Sequence, residues 1–274
     1  MLKPLLHSLV LALTIALTPA VANAASDESC RLGIYLKKLV EDNAYLKTPP
    51  RAVNFRSWED YVEDLAIQSM DFRTNGTLID LGAGQGYAVR DAIEERAFRE
   101  AIAIDFTDHS NAHHWDLTRE RTRSKIRFEE DSAEATLLRY PGVAEVITDN
   151  YGAFTYSPAR IHILNSAFRA LKPGGIAYFR CPPVSFVKTF EGVVPLEVYL
   201  SQKYPEIFSI RKNRDKPFMD PELDPFVSAR TVLVMKKPLR EASLDLRLEI
   251  ESHRKWQLPD YPLIEFPWIV FSEK

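Results

Sequence analysis

The run Leu78-Ile79-Asp80-Leu81-Gly82-Ala83-Gly84-Gln85-Gly86-Tyr87 constrains this chain more than any other stretch. Apolar residues carrying one carboxylate end in glycines at every second position, and Ala88-Val89-Arg90-Asp91-Ala92-Ile93 continues as a helix opening. Such a segment is a strand delivered into a glycine-rich turn before a helix N-terminus. Glycines let the backbone take positive φ and come close to a ligand with no Cβ in the way. The first N–H groups of the helix and its dipole favour an anionic group there. The pattern predicts a nucleotide-binding element in an α/β chain.

The spacing narrows the nucleotide. A dinucleotide fold places its third glycine five positions after the first, in G-x-G-x-x-G. That position holds Tyr87, and the third glycine comes at Gly86, which speaks against a nicotinamide-dependent oxidoreductase. The pattern Asp80-x-Gly82-x-Gly84-x-Gly86 resembles motif I of the class I S-adenosylmethionine-dependent methyltransferases. The resemblance implies that the turn meets a methionine carboxylate and a ribose rather than a phosphate. The bland alternative is a glycine-rich turn with no ligand.

From Thr77 onward, strand-like and helix-like segments alternate, the signature of a parallel sheet. Strands are expected at Thr77–Leu81, Ala101–Asp105, Lys125–Glu129, Ala144–Thr148 and Ile176–Cys181, with a late pair at Ile207–Arg211 and Thr231–Lys236. Helices are expected at Ala88–Glu100, at Pro158–Leu171 with a glycine stop in Lys172-Pro173-Gly174-Gly175, and at Leu196–Tyr204. Seven strands closing in a hairpin, together with Leu171-Lys172-Pro173-Gly174-Gly175 before the fifth, extend the resemblance over about residues 57 to 237. It implies a Rossmann-like, seven-stranded, mostly parallel sheet with helices on both faces and a C-terminal antiparallel hairpin. Upstream, Ser57-Trp58-Glu59-Asp60 looks like a capped helix start, and Trp58 and Tyr61 are expected in the core rather than at a substrate mouth. Residues 25–56 form a lead-in. Residues 238–274 form an extension, expected as a charged helix Leu239–Trp256 and a strand-like aromatic segment Tyr261–Phe271.

In open α/β sheets ligands sit outside the carboxyl ends of the strands, near the switch in strand order. On the resemblance, Gly82, Ala83, Gly84 and Gly86 make room for the methionine part of the cofactor, and Asp80 orders the turn or a bridging water. Asp105, ending the second strand, is the expected ribose acid, since a carboxylate can accept from two hydroxyls at once; a simple helix cap is its alternative. After the third strand, Asp131 with adjacent Ser132 is expected at the adenine amine, with Glu130 as fallback. Asp149-Asn150-Tyr151-Gly152 ends the fourth strand. Asp149 is open there as general base, cofactor contact or loop cap, and Tyr151 is the other catalytic candidate; Tyr151 and Tyr156 are candidate pocket walls. This element resembles the N-P-P-Y of amino-group methyltransferases only loosely, for the prolines are missing, which leaves the acceptor open between a small molecule and a protein side chain.

Met1–Ala24 reads as a secretory leader: Lys3 near the start, an apolar stretch Leu9–Val21, and Ala22-Asn23-Ala24 as a cleavage site. The apolar stretch is too short to span a bilayer comfortably. Cleavage after Ala24 predicts a periplasmic or secreted protein that touches the membrane only through its leader. The formal charge of −3, or −4 without the leader and its single lysine, lacks the basic footprint of a nucleic-acid partner. Cys30 and Cys181, the two cysteines, make either one disulfide or two buried thiols. His109, His113 and His114 with Asp108 and Asp116 match no metal-ligand spacing, so no metal is expected. Two functions stay open: a methyltransferase using S-adenosylmethionine, or an exported, non-catalytic binding module with the same fold.

Overall fold

The structure, a computed structural model, describes residues 56–68, 71, 75–105, 120–150, 152–181, 185–212, 231–258 and 261–273, with the backbone alone at 156, 212, 253–258 and 261–268. The leader, nearly all of the lead-in, Cys30, Tyr151, the histidine cluster and the loop from 213 to 230 lie outside the described residues.

The first helix, α1 (Trp58–Asp64), starts as its sequence demands: the Ser57 hydroxyl accepts from the Asp60 N–H at 3.1 Å, and the Asp60 carboxylate accepts from the Ser57 N–H at 2.8 Å. These two bonds satisfy donors that a helix N-terminus otherwise leaves open. Then come β1 (Thr77–Leu81), α2 (Tyr87–Glu94), β2 (Glu100–Asp105), α3 (Glu120–Arg123), β3 (Ile126–Glu130), α4 (Ala133–Leu138) and β4 (Ala144–Asp149). A short α5 (Ala153–Tyr156) leads to α6 (Arg160–Ala170) and β5 (Leu171–Cys181). β6 (Ser185–Thr189), β7 (Gly192–Pro195), α7 (Leu196–Lys203), β8 (Phe208–Lys212), β9 (Thr231–Lys236), β10 (Leu248–Leu258) and β11 (Tyr261–Glu273) complete the order.

Seven strands form one sheet in the order β3-β2-β1-β4-β5-β9-β8. β1 to β5 pair in parallel, and β9 runs antiparallel to both β5 and β8. This is the expected Rossmann-like sheet with its terminal hairpin, and strand order reverses between β1 and β4. Alternate residues of each strand face opposite layers. Leu78, Ala101, Ala103, Val146, Tyr178 and Val234 pack with α1 and α2, where Trp58 and Tyr61 are buried as expected. Ile79, Leu81, Ile102, Ile147, Phe179 and Leu233 pack on the other face with α4, α6 and α7. Each Val, Leu, Ile or Phe side chain among them contributes about 1.5–3 kcal/mol on withdrawal from water. A slip of one residue would exchange the two layers, so the apolar pattern fixes the register.

Three expectations are corrected. The first concerns α2, which stops at Glu94 rather than Glu100. Arg96 takes φ +61°, and the Ala97 N–H returns to the Ala92 carbonyl at 2.9 Å, a left-handed helix stop made without glycine. At the second, α6 ends at Ala170 and Leu171 is already extended, so the glycines are not the helix cap. Gly174 (φ +81°) instead turns the chain within β5, and its N–H donates to the Lys237 carbonyl at 2.9 Å. The third is the largest. No helix spans 239–256: β10 and β11 pair antiparallel there, and β11 lies parallel to β6, giving a second sheet in the order β10-β11-β6-β7. Val187, Ile269 and Phe271 of this sheet join the layer that holds α6.

Candidate functional site

At the switch point, two backbones nearly touch. Gly82 has φ +72°, and a Cβ placed on it would lie 2.4 Å from the Cα of Gly152, the residue opening α5. A Cβ on Gly152 would lie 1.8 Å from the Leu81 carbonyl oxygen. No side chain fits at either place. Gly84 and Gly86 also take positive φ, +55° and +78°, and Gly86 caps α2. The Gly82 and Ala83 N–H groups both donate to the Ile104 carbonyl, at 2.8 and 3.0 Å, which ties the turn to the end of β2. The Ala83 side chain itself is buried in the α1/α2 layer.

Asp105 is the residue that closes this arrangement: its Oδ2 accepts from the Gly84 N–H at 2.9 Å. Its carbonyl accepts from the Asp131 N–H at 3.1 Å. The turn, the acid after β2 and the acid after β3 thus meet at one end of the sheet. Asp131 Oδ1 accepts from the Ser132 N–H at 2.7 Å, and its Oδ2 binds Arg139 at 3.0 Å. Ser132 caps α4, its hydroxyl accepting from the Ala135 N–H at 3.2 Å. Glu130, the fallback, is exposed.

Two buried carboxyls lie beside the turn, and a third lies behind α5. Asp80 is wholly buried and accepts from the Thr148 hydroxyl at 2.7 Å and the Tyr61 hydroxyl at 3.2 Å. Burial pushes its carboxyl up to about 7, against the pull of those two donors and with a further push from Asp105. Asp149, equally buried, accepts from the Gly152 N–H at 2.9 Å and the Phe154 N–H at 2.7 Å. Burial raises it to about 8. Of the roles open to Asp149, these contacts are those of a loop cap: both oxygens hold the turn into α5. Behind them, Glu134 accepts from the Ser157 hydroxyl at 2.8 Å and is raised by burial to about 7. Asn150 joins a polar group beside the site, accepting from Arg180 at 3.1 Å and donating to Asp64 at 3.2 Å; Arg180 and Asp64 are themselves 3.1 Å apart.

The sequence therefore located Asp80, the glycines and Asp105, which the fold brings together. It missed Gly152, whose only signal is a glycine just past a strand end at the switch point. It missed Thr148 and Tyr61 as partners of Asp80, and Arg160, a wholly buried arginine that looks like any helix-surface charge in the sequence. Cys181 is a free, buried thiol, and Cys30 lies outside the described residues. Among the described residues no group of His, Cys, Asp and Glu is placed to hold a metal ion.

No family model and no curated protein matches the chain. Several solved structures align with about two thirds of the chain. A Listeria monocytogenes protein assigned as an S-adenosylmethionine-dependent methyltransferase is 16% identical, with 66% of this chain and 97% of that one covered and a TM-score of 0.47. The Haemonchus contortus phosphoethanolamine N-methyltransferase 2, in complex with S-adenosyl-L-methionine, is 15% identical over 66% of this chain and 54% of that one, with a TM-score of 0.44. The precorrin 8w decarboxylase of Methanobacterium thermoautotrophicum is 15% identical over 64% and 88%, with a TM-score of 0.40. At these identities and scores the likeness carries nothing about activity.

Proposed function

We propose that this protein binds S-adenosylmethionine against the glycine turn and transfers its methyl group to an acceptor, a small molecule or a protein side chain. The observation that carries this is the Gly84 N–H on Asp105 Oδ2 at 2.9 Å, which sets a carboxylate at the rim of a turn whose Gly82, Gly84 and Gly86 carry no side chain. The residues present fit the group. Asp105 orients ribose hydroxyls, a task for which a carboxylate's paired oxygens are suited. Gly82, Gly84 and Gly86 admit the amino-acid tail, and the first N–H groups of α2 favour its carboxylate. Asp131 and Ser132, after β3, are the proposed partners of the base. When bound, the cofactor supplies a methyl group already activated on a sulfonium. The protein's part is then to orient the acceptor in line and to exclude water. No proton need be taken by Asp149, whose oxygens hold backbone amides. We further propose that the chain is exported by Met1–Ala24, which N-terminal sequencing of the mature protein checks.

Calorimetry tests the cofactor. S-adenosylmethionine and S-adenosylhomocysteine should bind and NAD should not. Asp105→Ala should weaken both binders by tenfold or more, the loss of about 1.4 kcal/mol or more expected for a charged hydrogen-bonding partner. Absence of binding by either sulfur compound would sink the proposal, and unchanged affinity in Asp105→Ala would remove the ribose assignment. The alternative function is an exported binding module without turnover. Binding of S-adenosylmethionine without methyl transfer to an exported-fraction extract would select it.

A further inference from the structure

Arg160 opens α6 with no exposed surface at all. A buried guanidinium needs all its donors engaged, since an arginine stays charged in proteins and losing its hydration is costly. Its Nε donates to the Phe154 carbonyl at 2.8 Å and its Nη2 to the Thr155 carbonyl at 2.6 Å. Nη1 donates to the hydroxyl of Ser185, which is also buried. The first two acceptors belong to α5, which sits against the glycine turn. The third belongs to β6, where Ser185 is paired with Ile269 of β11.

α5 is consequently held from two sides. Asp149 accepts the Gly152 and Phe154 N–H groups, and Arg160 takes the Phe154 and Thr155 carbonyls. Phe154 has its amide on the Asp149 carboxyl and its carbonyl on the Arg160 guanidinium. Arg160 also attracts the carboxyls of Asp149 and of Glu197 in α7. Because Gly152 is packed against Gly82 with no room for a Cβ on either, any displacement of α5 moves the wall of the glycine turn. The second sheet lies outside the seven-stranded sheet, yet Ser185 gives it a direct bond to the group that fixes α5.

We propose that Arg160 is a positioning residue, holding the Gly152–Thr155 wall against the glycine turn, and that it makes this hold depend on Ser185 of the second sheet. The consequence for affinity rests on the cofactor proposal above; the consequence for backbone order does not.

The test uses the full chain as wild type, Ser185→Ala, Arg160→Lys and Arg160→Met. Amide hydrogen exchange is followed over 152–157 and, as a remote reference, over 231–236 in β9; S-adenosylmethionine affinity is measured alongside. Ser185→Ala should speed exchange over 152–157 by about tenfold, one hydrogen bond's worth, with 231–236 unchanged, and weaken cofactor binding several-fold. Arg160→Lys, keeping the charge with fewer directed donors, should lie between wild type and Arg160→Met. Should Arg160→Met not fold, Ser185→Ala and Arg160→Lys still decide. Exchange over 152–157 equal to wild type in both overturns the proposal, and so does a rise shared equally by 231–236, which marks a merely structural role. If the wild type binds no S-adenosylmethionine, the cofactor proposal falls and the exchange comparison still judges Arg160.

Discussion

Two glycines at the sheet's switch point differ in what forbids a side chain there. Gly82 is forbidden twice, by φ +72° and by the Gly152 Cα. Gly152 has a negative φ of −96° and is forbidden chiefly by proximity, with the Leu81 carbonyl oxygen 1.8 Å from where a Cβ would stand. Gly142 is the converse case: φ +67° with nothing within 4 Å of the added atom. Alanine at 142 should therefore cost about 1 kcal/mol, the left-handed backbone penalty. Alanine at 152 should cost about 3 kcal/mol or more, at or beyond the upper end of overpacking, because backbone rather than a flexible side chain must move. Urea unfolding of the two variants gives the comparison, and equal costs would refute the close approach. Gly82 was legible because its neighbours repeat at fixed spacing. Gly152 was not, because its reason for being glycine lies on another strand.

At the level of elements, what could be read from the sequence was the part whose local chemistry agrees with its packing. β1 begins and ends where its apolar run does, and α1 starts at a serine with an acid three residues on. Misreadings fall where tertiary contacts decide. Arg96 ends α2 in a left-handed conformation that its side chain does not advertise. The segment Leu248–Leu258 is rich in good helix formers, and it is a strand because β11 supplies a partner along its whole length; pairing overrides a propensity worth only tenths of a kcal/mol per residue. The same logic gives α1 a second duty. It carries Tyr61, whose hydroxyl donates to Asp80 at 3.2 Å, so the helix start and the motif acid are linked. Ser57→Ala should cost about 1 kcal/mol through the lost cap, and Tyr61→Phe about as much through the lost hydrogen bond. Denaturant titration of both singles and the double checks this. A double variant costing more or less than the sum by over 0.5 kcal/mol would mark coupling between cap and tyrosine.

Across the whole molecule the buried acids set how stability follows pH. Asp80, Asp149 and Glu134 are each lifted by burial, to about 7, 8 and 7. A carboxyl raised in the folded state holds a proton that the unfolded chain gives up near pH 4. The stabilisation from these three is complete below that pH and is lost as pH rises towards 7 and 8. Thr148 and Tyr61 donate to Asp80 and Asp105 repels it; Asp149 faces Asp80 and Arg160; Glu134 faces Ser157, Ser132 and Asp131. Asp71 works in the opposite sense. Burial raises it, but Arg211 at 2.5 and 2.9 Å, the Tyr178 hydroxyl and the Gln68 N–H outweigh burial and hold it low. Its contribution is present above pH 4 and lost as pH falls further. Stability should therefore peak near pH 4, well on the acid side of neutrality. Each tenfold displacement of an acid constant is worth about 1.4 kcal/mol, and a kcal/mol moves the melting temperature of a chain this size by about 2–4 °C. Melting followed from pH 5.5 to 8.5 should fall by about 10 °C or more. Asp80→Asn keeps an acceptor for Thr148 and removes the titration, so its curve should fall less steeply than the wild type over the same range. A wild-type melting temperature that is flat or rising from pH 5.5 to 8.5 would mean that Asp80 and Asp149 are ionised in the folded protein, with the charge of the glycine turn correspondingly more negative.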